Sequence, residues 1–305
     1  MKAVSYRAYG GPEALEYGEL PDPRPGPDSV LVRVRAAAVN PVDWKAQAGY
    51  LAGMIDPVFP VIPGWDVSGV VVALGADTPE FQVGDEVMGY VREDFLSRGT
   101  FAEYVAAPVR TLARKPANLS FEEAAGLPLA GLTAFQSLKA ARAGEGDTVL
   151  VHAAAGGVGS MAVQLARHLG ARVIGTASER NHDYLRSLGA EPVTYGEGLN
   201  ERVRAMAPGG VDVVLDLVGG VVKDSAEVTA EGARLVSITD PEVTGLGGRL
   251  LWVRPDVADL TALGHLAEQG VLSVEVARVL PLEKTAEAQR LSAEGHTRGK
   301  IVVTP

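Results

Sequence analysis

The apolar positions of this chain change their period part-way along it. Up to about residue 120 they fall in short runs, at 2–6, 29–38, 67–74, 86–90 and 101–106, separated by Gly and Pro, which predicts a β-rich domain. The proline-rich stretch 21–28 reads as a rigid surface loop, because a strand pattern resumes directly after it. Beyond Phe121 strand-like runs at 148–152, 172–176, 193–195, 211–217 and 234–238 alternate with helical patterns. Alternation of that kind predicts a parallel sheet with helices on both faces. The tail changes again, with strands at 274–280 and 300–304 around a helix at 282–294. The expected layout is a first domain of residues 1–120 completed by 273–305, and a second of residues 121–272.

Within the alternating region, Val149-Leu150-Val151-His152-Ala153-Ala154-Ala155-Gly156-Gly157-Val158-Gly159 runs from a buried strand into a glycine turn. The helical pattern after it sets Met161, Leu165 and Leu169 on one face, and a second strand at 172–176 completes a βαβ unit. Glycine lets the backbone approach a pyrophosphate, and the N–H groups of the helix start carry partial positive charge toward it. A dinucleotide is the natural ligand; a turn serving packing alone is the other reading of the same residues. The backbone of Ala155, Gly156, Gly157 and Val158 forms the candidate cradle.

Composition narrows the partners. The formal net charge of −10 argues against nucleic acid or an anionic membrane as the main partner and leaves small molecules. Cysteine is absent, which removes disulfides, thiolate metal sites and cysteine nucleophiles together. No apolar stretch of about 18 residues is present, and the N-terminus enters a strand pattern without an apolar signal core. A cytoplasmic protein is the simplest expectation. The five histidines, at 152, 168, 182, 265 and 296, have no ligand-type spacing.

The place after the second strand of the βαβ unit reads Thr176-Ala177-Ser178-Glu179-Arg180-Asn181. An NAD site puts a carboxylate there, about 20 residues after the glycine turn. A hydroxyl and a guanidinium at Ser178 and Arg180 suit a 2′-phosphate instead, which favours NADPH. Glu179 leaves NADH open if it faces inward. Val218 and Ser237 end later strands at the carboxyl edge of the sheet, where ligands sit in open α/β folds.

Motifs Asn40-Pro41-Val42-Asp43-Trp44-Lys45, Pro63-Gly64-Trp65-Asp66-Val67-Ser68-Gly69, Val83-Gly84-Asp85-Glu86-Val87, Gly99-Thr100-Phe101-Ala102-Glu103-Tyr104, Gly131-Leu132-Thr133-Ala134-Phe135 and Arg298-Gly299-Lys300-Ile301-Val302 join the glycine turn in one order. With them the chain resembles the medium-chain dehydrogenase/reductase superfamily, in its zinc-independent quinone oxidoreductase branch, nearly end to end. The resemblance implies a GroES-like catalytic domain split around a Rossmann domain that binds NADPH, and a homodimer formed by an edge strand at 250–253. It departs from the superfamily's zinc enzymes, because Trp65 and Asp66 stand where those carry histidine and glutamate.

The same resemblance supplies candidate roles. It implies Thr133 and the backbone of Val253 at the nicotinamide, Tyr195 near the adenosine phosphate, and Arg298 among the cofactor contacts. Asn40 is a candidate hydrogen-bond donor to the nicotinamide ribose or the substrate carbonyl, and Asp43 a helix N-terminal residue. Tyr50 is a candidate donor to a developing oxyanion. The expected reaction is hydride transfer from NADPH to a quinone or an α,β-unsaturated carbonyl, whose conjugation spreads the developing charge without a metal. Reduction of enoyl thioesters and a non-catalytic NADPH-binding role remain the alternatives.

Overall fold

In the computed structural model, which describes residues 1–305, the N-terminal runs form strands, most of them paired antiparallel. In order these are β1 (Lys2–Ser5), β2 (Glu16–Glu19), β3 (Ser29–Val39), β4 (Asp56–Ile62), β5 (Asp66–Leu74), β6 (Glu86–Tyr90), β7 (Phe95–Arg98), β8 (Tyr104–Pro108) and β9 (Leu112–Arg114), with α1 (Pro41–Gln47) between β3 and β4. Next come α2 (Phe121–Gly126), α3 (Pro128–Ala141), β10 (Thr148–Val151), α4 (Gly157–His168), β11 (Arg172–Ala177), α5 (His182–Ser187), β12 (Glu191–Thr194), α6 (Leu199–Met206), β13 (Val211–Asp216), α7 (Val222–Ala226), β14 (Thr229–Ser237) and β15 (Arg249–Leu250). The chain ends with α8 (Val257–Glu268), β16 (Val276–Pro281), α9 (Thr285–Glu294) and β17 (Lys300–Thr304).

One compact unit consists of residues 1–129, 255–269 and 274–305. Its main sheet runs β16-β17-β3-β5-β6-β9, with β8 also paired to β3. Val30, Val32 and Val34 alternate inward along β3 and pack with Val67, Val71, Phe101 and Leu112, as the period-two pattern requires. The other unit, residues 130–254 and 270–273, holds a six-stranded sheet in the order β12-β11-β10-β13-β14-β15. All its ladders are parallel. This is the doubly wound order, with its switch point between β10 and β13, and Leu150, Ile174, Val193, Val214 and Leu235 form its core.

The first unit reaches past residue 120 to Leu129 and also takes in residues 255–269, while the final return to it falls after Ser273. α2 is tied to the β-rich unit, where the Ser68 hydroxyl donates to the Phe121 carbonyl. α8 lies there too: Asn118 Nδ2 donates to the Ala267 carbonyl at 2.9 Å, and Gly264 sits against Met88 and Pro116. The strand expected at 101–106 is displaced to Tyr104–Pro108, because Phe101 is drawn into a turn by its bond to the Pro63 carbonyl at 3.0 Å. β2, β4, β7 and β9 are short or largely exposed and carry no alternation to read. The edge strand expected over 250–253 is reduced to Arg249–Leu250.

The β3–β5 contact is tight at Gly69, where an added Cβ would lie 2.2 Å from the Arg33 carbonyl oxygen and 2.7 Å from Val32 Cγ1. Backbone cannot yield as a flexible side-chain tip can. Gly69→Ala is therefore expected to cost about 2–4 kcal/mol of stability. Urea unfolding checks this, and a midpoint equal to that of the parent chain would contradict it.

Candidate functional site

β10 leaves the sheet through His152 and Ala153, and Ala153 takes the left-handed conformation at φ 52°. Its N–H donates to Thr176 Oγ1 at 3.1 Å, and the Ala154 N–H donates to the Thr176 carbonyl at 3.0 Å, so Thr176 of the neighbouring strand β11 holds the turn through two successive amides. The Gly156 N–H closes the turn on the Ala153 carbonyl at 3.0 Å. At Gly159 a Cβ would meet that same carbonyl oxygen at 2.2 Å, so only glycine lets the helix start so close to the strand. The N-cap of α4 is Gly156, which offers no side chain to the first amides of the helix. Those amides are the groups an anion would take.

The parallel topology brings the ends of β11, β12, β13 and β14 to the same edge. Ser178 caps a short 3-10 turn there, half-buried, with Glu179 and Arg180 exposed beside it. Tyr195 and Val218 are each 55% exposed at their strand ends. The Ser237 hydroxyl is fully engaged within the protein. It donates to Asp216 Oδ2 at 2.8 Å and accepts from the Thr239 and Asp240 N–H groups at 3.2 and 2.8 Å. Ser237 can therefore serve a ligand only by shaping its loop.

Asp216 is the residue the sequence reading missed. It is fully buried, and its Oδ1 accepts from the N–H groups of Val218 and Gly219 at 3.0 and 2.7 Å while Oδ2 takes Ser237. One carboxylate thus holds the loops after β13 and β14, on one side of the switch point. The available signal was an acidic residue closing the apolar run Val213-Val214-Leu215, which demands partners once buried. Farther along, the Gln136 side chain on α3 bonds the backbone of Arg254 twice, at 3.0 and 3.1 Å.

The β-rich unit holds a buried polar cluster around Asn40. Asp43 sits in the first turn of α1 and accepts from the Asn40 N–H at 2.7 Å, the helix-start role considered for it from sequence. Asn40 Nδ2 donates to Asp66 Oδ2 at 2.9 Å and to the Ala38 carbonyl at 3.3 Å, and Oδ1 accepts from Lys300 Nζ. With both amide hydrogens and the carbonyl engaged and the residue 2% exposed, Asn40 has no donor left for a ribose or substrate, which corrects the role expected of it. Lys300 Nζ also lies 3.9 Å from Asp66 Oδ2. Asp66 is completely buried and accepts the Leu129 N–H at 2.8 Å.

Burial pushes the Asp43 carboxyl up to about 8, and Asp66 adds to the rise, against the opposing Asn40 N–H and Lys300. Burial also raises Asp66, to about 6, with Lys300, Asn40 and the Leu129 N–H holding it back. Burial lowers Lys300, and the two carboxylates resist. Lys300 is the one basic side chain set against the two carboxyls.

Tyr50 lies in the turn after α1 and is 73% exposed, so its phenol faces solvent. Arg298 donates to Glu275 Oε1 through Nε at 3.0 Å and Nη2 at 2.7 Å, a pairing that occupies part of its fork. Thr133 is buried in α3. His152 is buried against the Ser225 hydroxyl at 2.7 Å, and burial lowers it to about 4, leaving it neutral near pH 7. No three His, Cys, Asp or Glu side chains come together as a metal-ligand group. No helix is long and apolar enough to cross a membrane.

Comparison with known proteins places the chain in a family. Residues 26–117 match the alcohol dehydrogenase GroES-like domain, and residues 188–303 match the zinc-binding dehydrogenase family. The chain is 32% identical to the chloroplast envelope quinone oxidoreductase homolog of Arabidopsis thaliana, covering all of this chain and 98% of that protein. It is 37% identical to the chloroplastic NADPH-dependent alkenal/one oxidoreductase of the same plant, over all of this chain and 80% of that one. The solved quinone oxidoreductase of Coxiella burnetii superposes with a TM-score of 0.90 at 37% identity, covering 100% of this chain and 99% of that structure.

The buried carboxyl gives a signed expectation. The folded chain holds the Asp43 proton more tightly than an unfolded chain, whose carboxyl titrates near 3.8. The stability this lends is complete below that value and is lost as pH rises through about 8. Asp43→Asn keeps an acceptor for the Asn40 N–H and removes the titration. Its stability relative to the parent should therefore rise by about 2 kcal/mol or more between pH 5 and pH 8. Urea unfolding at the two pH values measures this, and a flat difference would contradict it.

Proposed function

Because the chain belongs to the medium-chain dehydrogenase/reductase superfamily, in its quinone oxidoreductase branch, we propose that it is an NADPH-dependent oxidoreductase that reduces quinones or α,β-unsaturated carbonyls. The observation that carries this reading is the glycine-capped start of α4 beside the Ser178–Arg180 turn on the adjacent strand. The first amides of α4, left without a side-chain cap by Gly156, fit a pyrophosphate, and the neighbouring hydroxyl and guanidinium fit a 2′-phosphate.

When bound, the reduced nicotinamide supplies hydride. The amides of Gly157 and Val158, at a turn formed by Ala155 and Gly156, take the pyrophosphate. Ser178 and Arg180 take the 2′-phosphate, with Glu179 directed away into solvent in this reading. Tyr195 packs beside the adenosine phosphate. Val218, held by Asp216, contributes loop backbone, and Thr133 with the Val253 backbone orients the carboxamide. The exposed Tyr50 phenol is the hydrogen-bond donor offered to the acceptor oxygen. A conjugated acceptor needs no more than this, since its developing charge is delocalised. Asn40 acts on α1 and the Asp43–Asp66–Lys300 cluster rather than on the acceptor.

The outer edge of β15 carries half-exposed Leu250, which supports a homodimer built by adding the same strand from a second copy.

Rapid-mixing assays of NADPH oxidation with 1,4-benzoquinone and an enone series test the activity, and turnover no faster than buffer with all of them would overturn it. An enoyl thioester reduced in preference to every quinone and enone would move the substrate class. Arg180→Ala should raise the KM for NADPH about tenfold, the scale of one charge-assisted contact, and leave that for NADH unchanged. Equal effects on both would remove Arg180 from the phosphate site.

A further inference from the structure

We propose that Gln136 is a positioning residue for the nicotinamide end of the cofactor, acting by fixing the peptide plane between Val253 and Arg254. The inference rests on the NADPH reading above and adds to it a residue with no contact of its own to the ligand.

Beyond β15 the chain is without ladder support. Leu251 N–H donates to the Ser237 carbonyl at 2.8 Å, and residues 252–254 then run with no strand beside them. Gln136 substitutes for the missing strand. Its Oε1 accepts from the Arg254 N–H at 3.1 Å, and its Nε2 donates to the Arg254 carbonyl at 3.0 Å. A primary amide presents one acceptor and one donor in a plane, the pattern that a residue of a neighbouring strand offers in a β ladder.

The consequence follows from peptide planarity. The Arg254 N–H and the Val253 carbonyl belong to one peptide unit, which is trans. In a trans unit the two groups point in opposite directions. Binding the N–H to Gln136 therefore turns the Val253 carbonyl away from α3 and holds it there as an acceptor for a carboxamide N–H. Gln136 lies three residues after Thr133, on the same side of the helix, so one helical face carries both the buried hydroxyl and the clamp. The Arg254 side chain takes no part in either bond.

A matching contact supplies an internal control. Gln164 on α4 clamps Ser273 in the same manner, accepting from its N–H and its hydroxyl at 2.9 Å each and donating to its carbonyl at 3.1 Å. Ser273 has no place in the cofactor reading, so the same loss of bonds there should be silent toward ligand.

Calorimetric titration of the full chain decides the matter, with NADPH and with 2′-phosphoadenosine diphosphoribose, which keeps the phosphates and lacks the nicotinamide. Gln136→Met removes both bonds and preserves length, and should weaken NADPH about tenfold, the scale of two neutral hydrogen bonds. Its affinity for the nicotinamide-free ligand should stay within about twofold. Gln136→Glu keeps the acceptor for the Arg254 N–H and should fall between Met and the parent. It carries the test if the Met variant does not fold. Gln164→Met should leave both ligands unchanged. Equal weakening of the two ligands by Gln136→Met, or of neither, would overturn the proposal. A parent chain that binds the nicotinamide-free ligand but gains nothing from the nicotinamide would also overturn it. A parent that binds neither would remove the NADPH reading itself and this inference with it.

Discussion

A parallel sheet leaves its carboxyl edge with a structural debt: each strand ends in backbone groups that no neighbouring turn can pair, and a ligand site needs some of those groups unpaired but fixed. Everything functional in the second unit depends on how buried side chains meet that constraint. Asp216 binds the loops after β13 and β14 through Val218, Gly219 and Ser237. Thr176 ties the glycine turn to β11, and Gln136 supports the segment beyond β15. Asp216 and Thr176 are buried, and their pairing offsets their desolvation. What remains unclaimed by any side chain of the N-cap is the amide cluster at the start of α4.

The β-rich unit solves a different problem, which is how to bury two carboxylates beside each other. Asp43 and Asp66 both titrate above their ordinary range because burial disfavours their charge, and Lys300 supplies the one cation. Asn40 joins them, accepting from the ammonium and donating to Asp66. Such a network costs more if half satisfied than if absent, so its members hold one another in place. That explains why a residue read as a ligand contact turns out to be part of the scaffold.

The legible part of the site was the part made of backbone and local spacing. The turn at Gly156–Gly159 is read from contiguous residues, because strand, turn and helix start are adjacent in the chain, and the proposed phosphate role of Ser178 and Arg180 rests on contiguous residues too. Asp216, Lys300 and Gln136 were not legible as site residues. Each takes a partner remote in sequence, Asn40 for Lys300, Ser237 for Asp216 and Arg254 for Gln136, and Asp216 adds the nearby Val218 and Gly219 N–H groups. Tyr50 shows the converse, since a tyrosine next to a helix end reads alike whether its phenol is enclosed or, as here, in solvent.

The sequence by itself determined the change from a β-rich domain to alternating strands and helices, the βαβ unit and its glycine turn, and the absence of thiolate chemistry. These follow from periodicity, from the conformational needs of glycine and from composition, all of which act over a few residues. Only the tertiary structure decided that α2 and α8 belong with the β-rich unit, that the edge strand stops at Leu250, and that Asn40 is spoken for. Those outcomes depend on which distant groups meet a buried donor or acceptor, and pairing across a fold is set by geometry that no local pattern encodes.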